Sequence, residues 1–312
     1  MMGVMGSTHK FGVLDLIRAG LQDLDMAREL LDELRADGMD DGRLHLLMET
    51  LEKTCDPDIA LRNLVDIIKA LQSQGRDFRQ VITDDEGLVR LVTVLGVSDE
   101  MGKLMRFRPE LVMAAASDSC ESHLYNHAQR RAHVLEAVGA DPADSSMPKA
   151  SKPLAKAATA LRQTYRKQLA AIMAQDTTAE DPIEIQPRIS QELSDLADAA
   201  LEGALAIARN EVDGSEHVRF AIIGMGKLGA RELNYVSDVD LIYVVEPTDK
   251  DTNGMTLNRV GTKMATTLQR VCQSVIMGVA EPTLWQIDGG LRPEGKDGPL
   301  VRKLESHKAY YE

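Results

Sequence analysis

Cysteines, aromatic residues and long apolar runs are all scarce in this 312-residue sequence. Its three cysteines, Cys55, Cys120 and Cys272, are an odd number and lie far apart, without C-x-x-C spacing. This pattern argues against a disulfide framework and a structural zinc site, and it fits a reducing compartment. The sequence has no stretch of about 18 apolar residues, and its N-terminus lacks the apolar segment of a signal peptide. We therefore expect a cytoplasmic protein that does not enter a membrane.

Acidic residues outnumber basic residues in the sequence. There are 36 Lys and Arg against 49 Asp and Glu, which gives a net charge of −13, and we find no local basic stripe. Because such a chain repels a phosphate backbone, we expect no nucleic-acid partner. Aromatics make up 4% of the residues, whereas Leu, Ala, Met and charged residues abound. That composition favours helices.

Apolar residues recur at helical spacing through most of the first two thirds of the chain. The spacing predicts helices over residues 14–34, 43–54, 56–74, 86–96, 121–138, 154–175 and 189–212. Strand-like runs come later, at 218–224, 240–246 and 283–288, and a helical segment at 255–277 precedes the last of them. The predicted fold is therefore α+β and mostly helical, with a small mixed sheet in its C-terminal third.

Two polar, proline-containing stretches predict breaks between helices. They are GADPADSSMPKASKP (139–153) and AQDTTAEDPIEIQPR (174–188), and both have the composition of loops or mobile connections. The second stretch precedes the change from helices to strands. We therefore predict a helical region over 1–180 and an α/β domain over 181–312.

The stretch FAIIGMGKLGARELNYVSDVDLIYVVE contains the G-x-G-x-x-G pattern of dinucleotide-binding loops, at Gly224, Gly226 and Gly229. A dinucleotide-binding unit needs a crossover of at least about 10–12 residues to a parallel strand. Its acidic residue stands at the far end of that strand. Here only ARELNYVS separates the last glycine from an acidic pair, which stands at the entry of the next strand. Both features argue against a bound dinucleotide.

The acidic pair predicts a metal site instead. Asp238 and Asp240 are two residues apart at a strand start, so both carboxylates lie on one face, roughly 6.5–7 Å apart along the backbone. Two such groups resist joint ionisation unless a cation lies between them. Mg²⁺ binds through carboxylates and substrate phosphates. Asp288 ends the third predicted strand and is the candidate for a third carboxylate. Two metal ions held in this way can clamp the attacking and leaving oxygens of phosphoryl transfer.

Residues around the carboxylates predict phosphate contacts. The glycine turn lets backbone N–H groups approach a phosphate closely. Lys227 adds a mobile positive charge, and Arg292, in the glycine-rich RPEGKDG, adds a second cation. A glycine turn, a short helix and Asp-x-Asp on the next strand together form the pattern of a nucleotidyltransferase.

GMGKLGARELNYVSDVDLIYV (224–244) resembles the first catalytic signature of the glutamine-synthetase adenylyltransferase/adenylyl-removing family, and IDGGLRPEGKDGPLVRKLESHKAYYE (287–312) resembles the second. Weaker likenesses extend back to about residue 90. The resemblance implies relatives with two nucleotidyltransferase halves. The N-terminal half removes AMP from a tyrosine of glutamine synthetase by phosphorolysis that yields ADP, and the C-terminal half attaches AMP from ATP. The form KLGARELNYVSDVD is similar to the N-terminal, adenylyl-removing half of the actinobacterial type.

The resemblance also implies roles for individual residues. The family's catalytic, metal-binding carboxylates match Asp238, Asp240 and Asp288, with Mg²⁺ as the cofactor. The family's nucleotide and phosphate loop matches Gly224, Gly226, Lys227, Gly229 and Ser237. Because Gly290 stands where many relatives have an arginine, we expect the phosphate contacts to rely on Arg292.

The family implies partners and a longer chain. Glutamine synthetase is the expected protein substrate, ATP or ADP and phosphate are the expected small molecules, and a PII signalling protein is a further candidate partner. Relatives continue beyond the point at which this sequence stops. We therefore expect a truncated chain whose nucleotidyltransferase domain is incomplete at its C-terminal end.

Three other interpretations stay open on the sequence. A different nucleotidyltransferase would share the three carboxylates and modify another acceptor. An NAD(P)-binding enzyme would use the glycine turn without metal, although the short spacing opposes it. A non-catalytic fragment would bind glutamine synthetase or a PII protein without transferring AMP.

Overall fold

The computed structural model describes residues 11–117, 126–249 and 253–312. These residues form two compact units. The first unit comprises the described part of Met1–His123 together with Lys167–Ile185. The second comprises the described part of Leu124–Arg166 together with Gln186–Glu312. Helices dominate the chain and the strands form one small sheet, so the predicted α+β, mostly helical fold is confirmed.

The first unit is built from helices. They are α1 (Val13–Arg18), α2 (Leu24–Ala36), α3 (Asp41–Leu51), α4 (Pro57–Ser73), α5 (Phe78–Val81), α6 (Asp85–Val97), α7 (Asp99–Phe107) and α8 (Pro109–Ala116). It also contains the later part of α10 (Leu154–Thr177) and the start of α11 (Pro182–Glu211). Its core is aliphatic, and Leu64, Ile67 and Leu91 are wholly buried in it. Burial of such side chains stabilises a fold by roughly 1.5–3 kcal/mol each.

Aspartates begin five of these helices. The carboxylates of Asp23, Asp40, Asp56, Asp77 and Asp84 each accept a hydrogen bond from a backbone N–H group of the first helical turn. Such caps satisfy donors that have no partner inside the helix. The cap at Asp23 also explains a difference from the sequence: the helix predicted over 14–34 is two helices, α1 and α2.

The second unit contains the sheet and the helices around it. Its helices are α9 (His127–Val138), the first part of α10, most of α11, α12 (Gly226–Gly229), α13 (Gly254–Gln273) and α14 (Leu304–Tyr311). Its strands are β1 (Val218–Gly224), β2 (Val239–Pro247), β3 (Ile287–Asp288) and β4 (Val301–Lys303). The helix predicted over 121–138 is confirmed for His127–Val138, with Asn126 as its N-cap, and residues 121–125 lie outside the described residues.

β2 is the central strand of the sheet. β1 pairs with it antiparallel, from Val218 opposite Pro247 to Gly224 opposite Leu241. β3 and β4 pair with the other edge of β2, and both run parallel to it. A dinucleotide-binding unit requires two parallel strands joined by a crossover helix. The antiparallel pairing of β1 and β2 therefore excludes a NAD(P)-binding role for the glycine turn.

Two further predicted segments differ from the structure. The strand predicted over 283–288 is confined to its last two residues, because the N–H of Leu284 donates to the Cys272 carbonyl at 2.8 Å instead of joining the sheet. The loop predicted over 174–188 is mostly helix, since α10 ends at Thr177 and α11 begins at Pro182. Proline fits the first helical position because no backbone donor is needed there.

The two units divide the chain differently from the predicted boundary at residue 180. Residues 126–166 belong with the sheet, and 167–185 belong with the helical unit. One reason is Arg162 of α10, whose guanidinium donates to the carbonyl oxygens of Val271 and Glu281. Hydrogen bonds between segments more than 100 residues apart cannot be read from the local composition that set the predicted boundary.

Among the residues that the structure describes, no helix combines the length and the apolar character needed to cross a bilayer. Cys55 is an exposed free thiol and Cys272 is a buried one. Burial raises the pKa of the Cys272 thiol to about 12. Cys120 lies outside the described residues.

Candidate functional site

Three aspartates meet at the N-terminal end of β2. Each of Asp238, Asp240 and Asp288 offers one carboxylate oxygen, and these oxygens all lie within 4.8 Å of one another. Asp238 and Asp288 are exposed, whereas Asp240 is half-buried. The three carboxylates predicted from the sequence to form one cluster therefore do so.

Strand pairing fixes this cluster. β2 and β3 run parallel, with Asp240 directly opposite Asp288. The pairing is held next to the site by the N–H of Val239, which donates to the Gln286 carbonyl at 2.9 Å. The N–H of Ile287 donates to the side-chain oxygen of Gln273 at 2.7 Å. The pairing of β2 with the two-residue strand β3 thus holds Asp240 and Asp288, 48 residues apart in sequence, against each other.

Asp288 is oriented by its own loop. The N–H of Gly290 donates to Oδ1 of Asp288 at 2.6 Å. A Cβ at Gly290 would lie 2.8 Å from the same oxygen, which is closer than real Cβ contacts allow. Glycine at this position therefore lets the backbone approach the carboxylate.

The carboxyl group of Asp240 has a raised pKa in this cluster. Burial raises the pKa of its carboxyl, and the neighbouring Asp238 and Asp288 raise that pKa further. Removal from water and nearby like charge both disfavour the ionised form of an acid. A bound cation would reverse this effect because it stabilises all three negative charges at once.

The glycine turn lies directly against Asp240. Gly226 has a φ of +52°, and a Cβ built on it would lie 2.3 Å from Oδ2 of Asp240. The N–H of Met225 donates to the Asp240 carbonyl at 2.8 Å. A Cβ on Gly229 would lie 2.5 Å from the Gly224 carbonyl oxygen. The glycines are therefore required by contacts within this turn and with the acid.

Gly226→Ala is expected to lower the catalytic turnover of this candidate site by about 10-fold or more, because the added methyl group displaces the Asp240 carboxylate. A matched control is Gly75→Ala, since Gly75 also has a left-handed backbone (φ +72°) but its Cβ would meet no atom within 4 Å. Both substitutions introduce backbone strain of roughly 1–2 kcal/mol. Thermal melting measures the stability that both variants lose to backbone strain. Steady-state kinetics measure the loss of turnover that is specific to Gly226→Ala. Equal kinetics for the two variants would contradict the role of the close approach.

The three side chains predicted to contact phosphate, Lys227, Ser237 and Arg292, differ in their hydrogen bonding. Lys227 is exposed on α12. The hydroxyl of Ser237 donates to the Asp238 carbonyl at 2.9 Å. The Arg292 guanidinium donates to carbonyl oxygens of its own loop, those of Gly289 (2.7 Å), Gly298 (3.2 Å) and Lys296 (3.3 Å). Arg292 thus shapes the loop after Asp288, and its predicted contact with phosphate stays a prediction.

Sequence reasoning missed the residues that hold the turn in place. Arg231 follows the turn with a φ of +62° and pairs with Asp195 and Asp198 of α11. The N–H of Leu233 donates to the buried Ser194 hydroxyl at 3.3 Å. No local pattern connects α11 with this loop, which lies more than 30 residues later.

Comparison with known proteins agrees with the geometry. The family profile for glutamate-ammonia ligase adenylyltransferase matches residues 88–312. The chain belongs to this family. The glycine turn and, after it, both segments that carry the carboxylates lie inside the matched range of the adenylyltransferase family.

Curated relatives are similar to almost the whole chain. A Bifidobacterium longum protein named bifunctional glutamine synthetase adenylyltransferase/adenylyl-removing enzyme is 71% identical over 306 residues, which cover 98% of this chain and 28% of the relative. Proteins of the same name from Cutibacterium acnes and Streptomyces coelicolor are 37% and 35% identical, over 96% and 95% of this chain. The chain spans 30% and 28% of the length of these two relatives.

Proposed function

We propose that this chain carries an adenylyl-removing centre, which takes AMP from an adenylylated tyrosine of glutamine synthetase by phosphorolysis and releases ADP. The observation that carries the proposal is the convergence of Asp238, Asp240 and Asp288 beside the glycine turn. Family membership supports glutamine synthetase as the protein substrate. We further propose that the chain acts in the reducing cytoplasm, and a PII signalling protein is a second candidate partner.

The residues present fit Mg²⁺. Three carboxylates meet within 4.8 Å. Burial, and then the charges of Asp238 and Asp288, raise the pKa of Asp240, and a cation would relieve both effects. Hard oxygen ligands of this kind suit Mg²⁺, which keeps further positions for water and substrate phosphate. We propose that Asp238, Asp240 and Asp288 hold the metal. When bound, Mg²⁺ would polarise phosphoryl oxygens and offset the charge that develops during transfer.

The chain's own residues would position the phosphate groups. N–H groups at the start of α12 have no partner inside the helix, and in this proposal they donate to a phosphate. Lys227, on the same turn, is exposed and adds one positive charge. In the transfer, an oxygen of hydrogenphosphate bonds to the phosphorus of the protein-linked AMP. The bond from phosphorus to the tyrosine oxygen breaks, and that oxygen receives the proton of the hydrogenphosphate.

The proposal predicts that this chain, incubated with adenylylated glutamine synthetase, Mg²⁺ and phosphate, releases ADP while the tyrosine loses its AMP. ADP release is expected to stop when phosphate is omitted or when a chelator removes the metal, and to return when Mg²⁺ is added back. Chromatography measures the nucleotide, and mass spectrometry of the target measures the modified tyrosine.

The other outcomes separate the alternatives. AMP attached to unmodified glutamine synthetase from ATP would assign the opposite direction of transfer. Nucleotide transfer to another acceptor, without glutamine synthetase, would assign a different nucleotidyltransferase. Binding of glutamine synthetase without any nucleotide chemistry would make the chain a binding fragment and would contradict the proposal.

A further inference from the structure

A guanidinium and two carboxylates connect the glycine turn to α11. One terminal nitrogen of Arg231 lies 3.3 Å from Oδ1 of Asp195 and closer still to Oδ2 of Asp198. Asp195 and Asp198 are three residues apart on α11, so they lie on the same helix face. Their side chains are largely buried, at 15% and 28% exposure. The Arg231 side chain is 40% exposed, so water reaches the guanidinium but screens the two acids less than those of a surface ion pair.

Arg231 holds this position at a conformational cost. It has a φ of +62° and follows α12 in the left-handed conformation that ends many helices. The N–H of Arg231 donates to the Leu228 carbonyl at 3.2 Å, and the N–H of Glu232 donates to the Lys227 carbonyl at 2.8 Å. Glycine is the usual residue at this point of such a motif. An arginine here forgoes glycine's conformational freedom, and its side chain reaches the two acids of α11.

The turn packs through the buried side chain of Leu228 and borders a cleft of about 360 Å³, which Gly224 and Leu228 line together with Asp198. Polar tethers on two sides also hold the turn. On one side, the Met225 N–H bonds to the Asp240 carbonyl. On the other side are the Arg231 cluster and the bond from the Leu233 N–H to Ser194.

We propose that Arg231 is a positioning residue, which uses Asp195 and Asp198 to press the glycine turn against the Asp240 carboxylate. The route of action is short: Arg231 holds the end of α12, α12 begins at Gly226, and Gly226 lies against Oδ2 of Asp240. Burial raises the pKa of Asp198, and Arg231 and His127 oppose that rise. The metal-binding part of this inference rests on the proposed function.

Arg231→Ala tests the inference because alanine keeps a side chain at the same strained backbone position and removes only the tether. We expect backbone amides of residues 225–233 to exchange hydrogen about 10-fold faster. We expect Mn²⁺, used as the probe for the metal site, to bind about 10-fold more weakly, as is typical when a residue that supports a metal ligand is lost. Arg231→Lys keeps the charge and is expected to restore part of both properties.

Arg219→Ala is the matched control. Arg219 forms an exposed ion pair with Glu246 at the opposite end of the β1–β2 pair, so neither measurement should change. Arg231→Gly is a second variant that also releases the backbone strain. It is expected to melt within ~3 °C of the unsubstituted chain while losing protection and Mn²⁺ affinity like Arg231→Ala, which a change in overall stability cannot explain.

The outcomes are distinguishable. If the unsubstituted chain fails to bind Mn²⁺ but Arg231→Ala still accelerates exchange in the turn, the proposed metal site is wrong and the positioning role of Arg231 stands. If exchange in the turn is the same for Arg231→Ala and Arg219→Ala, the positioning role is overturned, whatever the metal binding shows.

Discussion

Asp240→Asn is expected to lower the proposed phosphorolytic turnover by about 10²–10³-fold and to leave the fold at least as stable. Asparagine keeps the size of the side chain but removes the charge of the half-buried member of the cluster. Interactions that stabilise charge developing in a transition state are worth this much in other enzymes. Asp240 stands between Asp238, two residues before it, and Asp288, directly opposite it on β3, so its loss affects the whole site.

The same variant has an opposite expected effect on stability. A raised pKa means that folded Asp240 keeps its proton at pH values at which the unfolded chain has lost it. In metal-free buffer, stability therefore falls as the pH rises through the titration of this acid. Asp240→Asn removes the cost of burying this charge and its repulsion by Asp238 and Asp288, so its melting temperature near neutral pH should not be lower than that of the unsubstituted chain.

Asp213→Asn is the control for both measurements of Asp240→Asn. Asp213 is exposed and lies in the turn before β1, outside the carboxylate cluster. Its substitution is expected to change neither turnover nor melting. Full turnover by Asp240→Asn would remove this acid from the mechanism, and a lowered melting temperature would contradict the electrostatic account.

The sequence predicted the parts of the fold that local patterns encode. β1 was predicted with its observed bounds because an apolar run ends in a glycine, and α4 was predicted within one residue because apolar spacing follows a capping aspartate. β4 was not predicted. It has three residues, and what makes it a strand is its pairing with Tyr243–Val245 of β2. That pairing is a contact across more than 50 residues, which the local sequence does not show.

The candidate site shows the same division. The Asp-x-Asp spacing placed two carboxylates together, and the position of Asp288 after an extended segment supplied the third. The support of the turn by Arg231 was invisible because it depends on a left-handed backbone at an arginine and on acids of α11. Arg292 was predicted as a phosphate contact from its charge, but its donors serve the carbonyls of its own loop. The charge of Arg292 did not indicate that its guanidinium would donate to carbonyl oxygens of its own loop.

Arg162→Met is expected to cost the second unit about 3–5 kcal/mol of unfolding free energy. Arg162 is 1% exposed, and its three nitrogens donate to the carbonyl oxygens of Val271, Ser274 and Glu281 at 2.7–3.2 Å. Val271 and Ser274 lie at the C-terminal end of α13, where carbonyls have no helical partner and the helix dipole favours a cation. Methionine fills a similar volume without donors, so these buried acceptors would lose their bonds.

Lys156→Met is the control for Arg162→Met, because Lys156 lies on the same helix and is exposed. The melting temperature should fall by about 10 °C for Arg162→Met. The unfolding free energy of the control should stay within about 0.5 kcal/mol of that of the unsubstituted chain.

The segment that Arg162 holds at Glu281 continues directly to Asp288. Loosening it should therefore also weaken Mn²⁺ binding in protein that is still folded, at temperatures well below the transition. If Arg162→Met lowers the unfolding free energy by less than about 1 kcal/mol, water replaces the guanidinium at these carbonyls. The hydrogen bonds of Arg162 would then not account for the position of Asp288.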